Sequence, residues 1–551
     1  MMVKIRRFLA FLLRFFAATG LGYVHTMAFA PREWWWLEIA ALTGLCLLLV
    51  EASRVGKSNG YLAMLGWGFG MGWFGSGLWW LYISMHVYGG LDSNLAIAAI
   101  AALCAFISLY PALAAWLFGR LAMPYAEKIS AFAQHPPVSI HGAFLFAAAW
   151  GLTEWLRGNL LTGFPWLASG YAHTSGQLSA YAPIFGVYGL GFLAALIAAL
   201  ITVLIVNLIK LRWTTSVFAL LIGAGVLASP LLFQESPWTS ENRQGLDGSS
   251  RISIRLLQGN VPQEEKFGEA NVGRSMALYE KLITAKPADL IITPETAFPV
   301  FGHELPASLL QRLQQFSTRT QSHILFGVAM EEPGPFYTNS MLGMTPGQAI
   351  GDGKTSSESL ISHLYRYNKH HLVPFGEFIP DGFHWFTRMM NIPLGDFNRG
   401  EMVQAPFEIK TANGTQKVML NICYEDLFGE EIAAHLRQSD TTSNILLNVS
   451  NIGWFGNTIA IPQHLQISRM RAMETGRPMI RATNTGATAI IGPQGRVLEE
   501  LTPFTQDEIS AEVTGFRGTT PYVLWENWPV LGFCSVLIVL SFAFTWRIRA
   551  E

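Results

Sequence analysis

The chain has 551 residues, of which 51% are hydrophobic and only 14% are charged. Soluble proteins carry about a quarter charged residues, so this composition indicates a protein that lies largely in a lipid bilayer. The formal net charge of -1 excludes the strongly basic surface by which nucleic-acid-binding proteins hold their ligand.

Hydrophobic residues are concentrated towards the two ends of the chain. A helix needs about 20 apolar residues to cross the hydrocarbon core. The sequence therefore predicts eight transmembrane helices, at 8–24, 35–51, 61–83, 94–119, 141–157, 186–209, 214–233 and 526–546. The first resembles a signal peptide but lacks a clear small-residue cleavage site, so we predict an uncleaved helix. The predicted organisation is a seven-helix bundle at 1–233, a globular domain at 234–522, and a last helix with a short tail at 523–551.

Lys and Arg residues alternate between the two sides of these helices. If the N-terminus is cytoplasmic, every inner segment carries basic residues, whereas the short outer loops hold little beyond Arg32 and Arg157. The positive-inside rule then places both termini in the cytoplasm and residues 234–522 on the far side. In a bacterium this is the inner membrane with a periplasmic domain.

Glycines and tryptophans alternate through the third predicted helix, between Gly66 and Trp80. Small residues let neighbouring helices approach closely, and tryptophan favours the membrane interface. The pattern therefore predicts tight helix packing rather than a ligand site.

Cys423 is the lone cysteine of the globular segment. The other three cysteines, Cys46, Cys104 and Cys534, fall inside apolar predicted helices, where we expect inert, buried side chains. Exported domains usually pair their cysteines or avoid them. An unpaired thiol is therefore a candidate reactive group, although on this fact alone a buried structural cysteine is an equal alternative.

The sequence around Cys423 favours the reactive alternative. A short apolar strand at 418–422 ends at this cysteine, and an acidic turn that contains Tyr424 and Glu425 follows. Reactive groups often lie at strand ends, where a rigid sheet presents them to a cleft. A thiol with a pKa of about 8.5 needs a base or a nearby cation to become a nucleophile.

Two other predicted strand ends supply a base and a cation. The apolar strand at 288–292 is broken by Thr293-Pro294 and is followed by Glu295. The alternating strand at 365–368 leads to Lys369, and a Pro-Phe-Gly turn then leads to Glu377. Each of these residues alone would be an ordinary surface charge.

Together, Glu295, Lys369 and Cys423 resemble the catalytic triad of the nitrilase superfamily of carbon–nitrogen hydrolases, in the same chain order. The segments 448–456 and 481–486 resemble further signatures of that superfamily. The resemblance covers about 250–515 and implies an α-β-β-α sandwich. It also implies that Glu295 is the general base, that Lys369 stabilises the thiolate and the oxyanion, and that Glu377, Tyr424 and Glu425 support them.

The whole chain resembles the membrane-bound, lipoprotein-acylating branch of that superfamily. Its motifs match here at Gln258-Gly-Asn-Val-Pro-Gln263, Glu154-Trp-Leu-Arg157 and Thr162-Gly-Phe-Pro-Trp166. The resemblance implies an acyltransferase that takes an acyl chain from a phospholipid as a Cys423 thioester. The chain is then passed to the N-terminal amine of a diacylglyceryl-cysteine apolipoprotein. It further implies ping-pong kinetics, and we expect the enzyme to act as a monomer.

Four further residues are candidates for substrate binding. Arg157 is expected either to anchor its helix at the interface or to contact a lipid phosphate, and Trp166 either to anchor the helix or to line the entry of the acyl chain. Phe267 and Trp454 are expected in the acyl pocket, with a core position as the alternative.

No metal or cofactor is expected. His370 and His371 are adjacent on a strand, so they point to opposite faces and do not easily share one ion. Two other functions stay open from the sequence: a membrane-tethered amidase that uses the same triad with water as acceptor, and a transporter or receptor whose outer domain only binds a ligand.

Overall fold

The structure is a computed structural model, and it describes residues 2–129, 138–232, 238–242, 250–266, 268–334, 336–348, 357–380, 397–412, 414–438 and 443–550. The chain divides into two compact units, which we call the helical unit and the sheet unit. The helical unit consists of Met1–Trp79, Asn94–Glu235 and Trp525–Glu551. The sheet unit consists of Trp80–Ser93 and Ser236–Leu524.

Long apolar helices build the helical unit. In chain order they are α1 (Met2–Thr26), α2 (Trp36–Arg54), α3 (Asn59–Gly77), α4 (Ser93–Ile107), α5 (Leu109–Ile129), α6 (Ile140–Asn159), α7 (Ala182–Ile209), α8 (Trp213–Ala228) and a C-terminal helix, Trp528–Ala550. Within the described residues, six stretches are long and apolar enough to cross a membrane: Lys4–Thr26, Trp36–Arg54, Ser93–Ala122, Gln177–Ile209, Trp213–Leu231 and Trp528–Arg547. The predicted spans 61–83 and 141–157 correspond to α3 and α6, which are not among these six.

The third predicted span is shorter in the structure than in the sequence prediction. The helix α3 ends at Gly77, and a π-helix, Ile83–Tyr88, follows it. Trp80–Ser93 forms part of the sheet unit. A continuous apolar pattern therefore overestimates the length of this helix by about six residues, because the pattern does not distinguish a helix from the apolar segment after it.

The glycines of α3 allow close helix contacts inside the helical unit. A Cβ atom at Gly72 would lie 1.9 Å from the carbonyl oxygen of Thr19 on α1, and one at Gly66 would lie 2.4 Å from that of Pro111 on α5. These distances are far below van der Waals contact, so only glycine fits. The predicted role of this glycine run in helix packing is confirmed.

Short strands form most of the sheet unit. They are β1 (Thr239–Glu241), β2 (Arg251–Gln258), β3 (Leu290–Ile292), β4 (Phe298–Phe301), β5 (His323–Glu332), β6 (Phe336–Met344), β7 (Tyr365–Asn368), β8 (Phe407–Thr411), β9 (Gly414–Ile422), β10 (Ile445–Ser450), β11 (Met479–Thr483), β12 (Ala489–Ile491), β13 (Val497–Glu500), β14 (Asp507–Thr514) and β15 (Phe516–Gly518). Its helices are α9 (Gln263–Lys266), α10 (Glu269–Thr284), α11 (Ala307–Thr320), α12 (Ser357–Ile361), α13 (Gly429–Gln438) and α14 (Ala460–Thr475), with α15 (Pro521–Trp525) where the two units meet in sequence.

Two mixed sheets lie at the centre of the sheet unit. The first has the order β14-β2-β3-β5-β6-β7, with β4 beside β5, and the second has the order β13-β12-β11-β10-β9-β8. A separate antiparallel pair joins β1 to β15.

Alternating apolar side chains hold the layers together. Leu290 and Ile292 of β3 join Leu420 and Ile422 of β9 in one core cluster between the two sheets. Ile291, which points the other way, packs in a second cluster with residues of α10 and α11. Met419, which alternates with the β9 pair, packs with residues of α13 and α14. Each fully buried Leu or Ile stabilises the fold by about 1.5–3 kcal/mol. The predicted α-β-β-α sandwich is confirmed.

The strand directions decide which residues meet at one edge. In the second sheet β10 pairs in parallel with both β9 and β11. In the first sheet β3 is parallel to β5, and β7 runs the same way because two antiparallel pairings, through β6, connect it to β5. The residues that follow β3 and β7 therefore lie at one edge of their sheet, and those that follow β9 and β10 lie at one edge of theirs.

Candidate active site

Cys423 follows β9 in a backbone conformation that is rare for residues with a side chain. Its φ is +53°, in the left-handed region, which costs a non-glycine residue about 1 kcal/mol or more. Two side chains fix its carbonyl group: the Nδ2 of Asn448 donates to it at 3.1 Å, and the Nε2 of His464 lies 3.2 Å from it. The thiol is thereby presented at the sheet edge and is only partly buried.

Glu295 lies in the loop that follows β3 and is held on both carboxylate oxygens. The Nδ2 of Asn339 donates to Oε1 at 2.7 Å, and the backbone N–H of Asn451 donates to Oε2 at 2.8 Å. Gly327 on β5 makes room for this loop, because a Cβ there would lie 2.5 Å from the backbone nitrogen of Thr296. A carboxylate fixed in this way can accept a proton in a defined direction.

Lys369 is almost completely buried between two carboxylates. Its Nζ lies 2.8 Å from Oε1 of Glu377 and 3.5 Å from Oε1 of Glu295, and its side chain is 1% exposed. Glu377 in turn accepts the backbone N–H of Val373 at 2.9 Å. The structure thus brings together the predicted Glu295, Lys369 and Glu377.

Asn339 is a residue of this site that the sequence analysis missed. Its Nδ2 donates both to Glu295 and, at 2.9 Å, to Oε1 of Glu377, while its carbonyl accepts the backbone N–H of Lys369 at 2.8 Å. It reaches the site from β6, whose amino-terminal half lies beside the end of β7. Three consecutive polar residues at 338–340, inside an otherwise apolar strand, were the available signal.

Burial and the neighbouring Glu295 carboxylate keep the thiol of Cys423 protonated at rest. Burial, followed by the negative charge of Glu295, raises the pKa of Cys423 to about 12, while Lys369 acts in the opposite direction. Burial alone would lower the pKa of Lys369, but the Glu377 and Glu295 carboxylates raise it above its ordinary value. The arrangement combines a protonated thiol, a positioned carboxylate and a permanent cation, which is the set that base-assisted attack by sulfur on a carbonyl carbon requires.

Glu425 connects the cysteine turn to the end of the lysine strand. It accepts the backbone N–H of Ile422 at 2.5 Å and that of His370 at 2.6 Å, and the Tyr367 hydroxyl donates to it at 2.9 Å. Burial raises the pKa of Glu425 to about 7. The predicted supporting position of Glu425 thus has a physical basis, since one carboxylate holds the backbone on both sides of the site.

A buried ion pair lies behind the cysteine turn. Asp426 is bound by Arg481 at 3.0 Å and by His464 at 2.8 Å, and Ser468 donates to it as well. All four residues are buried. Burial by itself would raise the pKa of Asp426, but His464 and Arg481 bring it below its ordinary value.

Comparison with known proteins gives matches along nearly the whole chain. The family model described as apolipoprotein N-acyltransferase N-terminal domain matches residues 21–200, and that of carbon-nitrogen hydrolase matches residues 254–521. A relative from Ralstonia nicotianae, named apolipoprotein N-acyltransferase, is 48% identical over 96% of this chain and 93% of its own length. A relative of the same name from Nitrosomonas europaea is 38% identical over 96% of each chain.

The chain belongs to the apolipoprotein N-acyltransferase family. Among solved structures, it is also similar to a CN-hydrolase superfamily protein from Xanthomonas campestris, at 16% identity and a TM-score of 0.35, over 48% of this chain and 90% of that one. The two family models and the two relatives confirm the resemblance that the sequence motifs indicated, both to the carbon–nitrogen hydrolases and to their membrane-bound branch.

Of the remaining predicted residues of the sheet unit, the structure describes Tyr424 and Trp454. Tyr424 is buried beside His371 and Phe428, with ring centroids 5.8 Å and 5.3 Å away. Trp454 is partly buried, and its ring meets that of Tyr88 edge to face at 5.9 Å. Its predicted place in an acyl pocket stays a prediction. Phe267 lies outside the described residues.

Arg157 has an internal set of partners in the helical unit. Its side chain is completely buried, is bound twice by Glu154 at 3.1 Å, and donates to the carbonyls of Phe164 and Trp166 at 2.5 and 2.9 Å. These four bonds hold the guanidinium inside the helical unit, and the predicted contact of Arg157 with a lipid phosphate stays a prediction. Trp166 is likewise 3% exposed, which does not fit an interfacial anchor.

Proposed function

We propose that this protein transfers an acyl chain from a membrane phospholipid to the N-terminal amine of diacylglyceryl-cysteine apolipoproteins. Membership of the apolipoprotein N-acyltransferase family over nearly the full chain supports this substrate pair. The observation that carries the chemistry is the ordered set of Glu295, Lys369 and Cys423 at the ends of their strands. These three are the proposed catalytic residues, with Glu377, Tyr424 and Glu425 in support.

The first half-reaction forms an acyl-enzyme. Glu295 takes the proton from the Cys423 thiol, and the sulfur attacks the ester carbonyl of the phospholipid. Lys369 stabilises the negative charge that develops on the carbonyl oxygen. The carbon–oxygen bond then breaks, Glu295 protonates the leaving glycerol oxygen, and a lysophospholipid departs from the Cys423 thioester.

The second half-reaction passes the acyl chain to an amine. The α-amine of the acceptor attacks the thioester carbonyl, the carbon–sulfur bond breaks, and the sulfur recovers a proton through Glu295. Donor and acceptor use the same cysteine in turn, so ping-pong kinetics are expected.

Apolar helices in the same chain suit lipid substrates. Moving each methylene of a lipid from an apolar environment into water costs about 0.8 kcal/mol, so a lipid substrate is far more accessible to an enzyme that stays in the bilayer. We propose that the protein lies in the bacterial inner membrane, with both termini cytoplasmic and the sheet unit periplasmic, and that it acts as a monomer. A periplasm-specific reporter inserted at residue 245 should be active, and a cytoplasm-specific one there should be silent; the reverse would contradict this orientation.

Mass spectrometry of an acceptor peptide separates acyl transfer from hydrolysis. The full chain is incubated in phospholipid vesicles with a synthetic peptide that begins with diacylglyceryl-cysteine. The matched control peptide is acetylated at the same amine. The proposal expects one added acyl group on the free peptide and none on the control. Release of fatty acid with no peptide product would instead support the amidase that the carbon–nitrogen hydrolase match leaves as an alternative.

A further inference from the structure

Lys266, at the end of the short helix α9, is a second buried lysine at the active site. Only 2% of its surface is exposed, and its Nζ donates to the backbone carbonyl of Glu295 at 3.2 Å. Within the described part of the chain, this is the one hydrogen bond of its ammonium group. Lys266 is also close enough to Glu295 and Cys423 for the charges of both to raise its pKa. It therefore lies beside the proposed base and nucleophile.

The two active-site lysines have opposite surroundings. Lys369 lies between two carboxylates, which hold it as a cation. Lys266 has three N–H donors and a single neutral acceptor, so burial disfavours its charged form. Burial accordingly lowers the pKa of Lys266 to about 7, although Glu295 and Cys423 oppose the shift. The acidic residues on its own helix, Glu264 and Glu265, are exposed. A pair of like groups with separated pKa values commonly has separated roles.

The second half-reaction needs a proton acceptor besides Glu295. An α-amine has a pKa of about 8, so much of the acceptor arrives as an ammonium ion at neutral pH. Its nitrogen must lose two protons to become an amide. One returns to the sulfur of Cys423 through Glu295, and the other has no acceptor among the three proposed catalytic residues, because Lys369 is held as a cation.

We propose that the neutral amine of Lys266 accepts the proton that the acceptor ammonium must lose before it attacks the Cys423 thioester. The freed nitrogen lone pair then forms the carbon–nitrogen bond, and the electron pair of the broken carbon–sulfur bond stays on sulfur. The second nitrogen proton reaches the sulfur through Glu295, and Lys266 later releases its proton to water. This inference rests on the proposed function and adds a residue to its second step.

Separate measurement of the two half-reactions tests the role of Lys266. The full chain in vesicles is first acylated with phosphatidylethanolamine that carries a labelled acyl chain, and the label on Cys423 is followed by mass spectrometry. The acyl-enzyme is then discharged either with the diacylglyceryl-cysteine peptide or with hydroxylamine, a nucleophile that is already neutral at pH 7. Lys266→Met and Lys266→Arg are compared with wild type and with Lys281→Met, a substitution of an exposed lysine on α10.

The expected result is a defect confined to the amine acceptor. Both Lys266 variants should form the acyl-enzyme at close to the wild-type rate and discharge it normally to hydroxylamine. Discharge to the peptide should fall about tenfold or more at pH 7, and should recover as the pH rises above about 8, where the peptide amine is neutral. Arginine should not rescue the defect, because it stays protonated.

Three results would overturn the proposal. They are rescue by Lys266→Arg, equal loss of discharge to both nucleophiles, and loss of acyl-enzyme formation in Lys266→Met. The first would indicate an electrostatic role, and the other two a structural one. Failure of the wild-type chain to acquire label on Cys423 would instead contradict the proposed function itself.

Discussion

Cys423 is surrounded by groups that act on its proton in opposite directions. Glu295 disfavours the thiolate and Lys369 favours it, while burial makes the charged form costly. The thiol is therefore unreactive until a substrate is in place and Glu295 removes the proton. A protected thiol of this kind suits an enzyme that must not react with water or oxidants between turnovers.

Substitution of the two charged neighbours should shift the ionisation of Cys423 in opposite directions. Loss of a negative neighbour favours the thiolate, and loss of a positive one disfavours it, each by about 1–3 pH units. Glu295→Gln should therefore lower the pH at which Cys423 becomes reactive, and Lys369→Met should raise it. The rate of alkylation by iodoacetamide against pH, read on the Cys423 peptide, measures both.

The same experiment separates charge effects from damage to the fold. Glu512→Gln, a substitution of an exposed carboxylate on β14, should leave the profile unchanged. A shift in the same direction in both active-site variants would mean that the turn had rearranged and would contradict the charge argument. Glu295→Gln should also abolish acyl transfer, even though its thiol ionises more readily.

At the scale of secondary-structure elements, Glu425 joins two strand ends through hydrogen bonds to backbone N–H groups. It thereby fixes the start of the cysteine turn after β9 and the backbone directly after Lys369. Tyr367 contributes the one side-chain hydroxyl in this set. We propose that Tyr367 is a positioning residue, because it acts on the site through its hydrogen bond to Glu425.

Removal of the Tyr367 hydroxyl should slow the reaction without weakening substrate binding. A hydrogen bond to a charged group is worth about 1.5–3 kcal/mol, so Tyr367→Phe should lower kcat about tenfold. The KM for phospholipid should stay within about twofold, because the hydroxyl is buried and bonded to Glu425. Tyr365→Phe is the matched control, since its hydroxyl bonds to the carbonyl of Ala405. Equal effects of the two substitutions would count against the positioning role.

The buried ion pair of Asp426 should contribute to the stability of the cysteine turn. Breaking a buried pair leaves Arg481 without its partner charge, which costs about 3–5 kcal/mol. Asp426→Asn should therefore lower the thermal unfolding midpoint at neutral pH, in contrast to the exposed Asp507→Asn. The folded-state pKa of Asp426 is depressed, so its contribution is present above the unfolded-state value of about 4 and is lost as the pH falls through the folded-state value. The stabilities of Asp426→Asn and Asp507→Asn should begin to converge as the pH falls below about 4 and should be equal only below the folded-state pKa of Asp426; a difference that persisted there would require another cause.

The sequence predicts those residues of the site that follow recognisable strands. Glu295, Lys369 and Cys423 each come directly after an apolar or alternating segment, so local pattern is enough to find them. Asn339 could not be found in this way, because it reaches the site only through the antiparallel pairing of β6 with β5 and β7. Lys266 was passed over because a lysine in a polar segment is usually exposed, and only the tertiary fold buries it.

The sequence is equally limited for charged residues near apolar helices. The position of Arg157 at the end of α6 fits both an exposed anchor and a buried ion pair. The folding back of residues 163–169 decides between them, since it brings the carbonyls of Phe164 and Trp166 to the guanidinium. A hydropathy pattern does not show that the loop after a helix folds back onto the end of that helix.

At the scale of the whole molecule, we propose that one chain joins apolar helices to a cysteine that carries an acyl group between two lipid substrates. Family membership supports the overall reaction, and the acyl-enzyme on Cys423 is its most specific consequence. That intermediate is directly measurable.

A single pulse-chase measurement tests this claim. The protein in vesicles is exposed to phospholipid with a labelled acyl chain, digested at acid pH and analysed by mass spectrometry, and a parallel sample is chased with the diacylglyceryl-cysteine peptide. We predict one labelled acyl group on the Cys423 peptide, absent in Cys423→Ala, that moves to the acceptor amine during the chase. A Cys423 that remained unlabelled, or a label lost equally fast with and without the acceptor, would contradict the proposed acyl-enzyme.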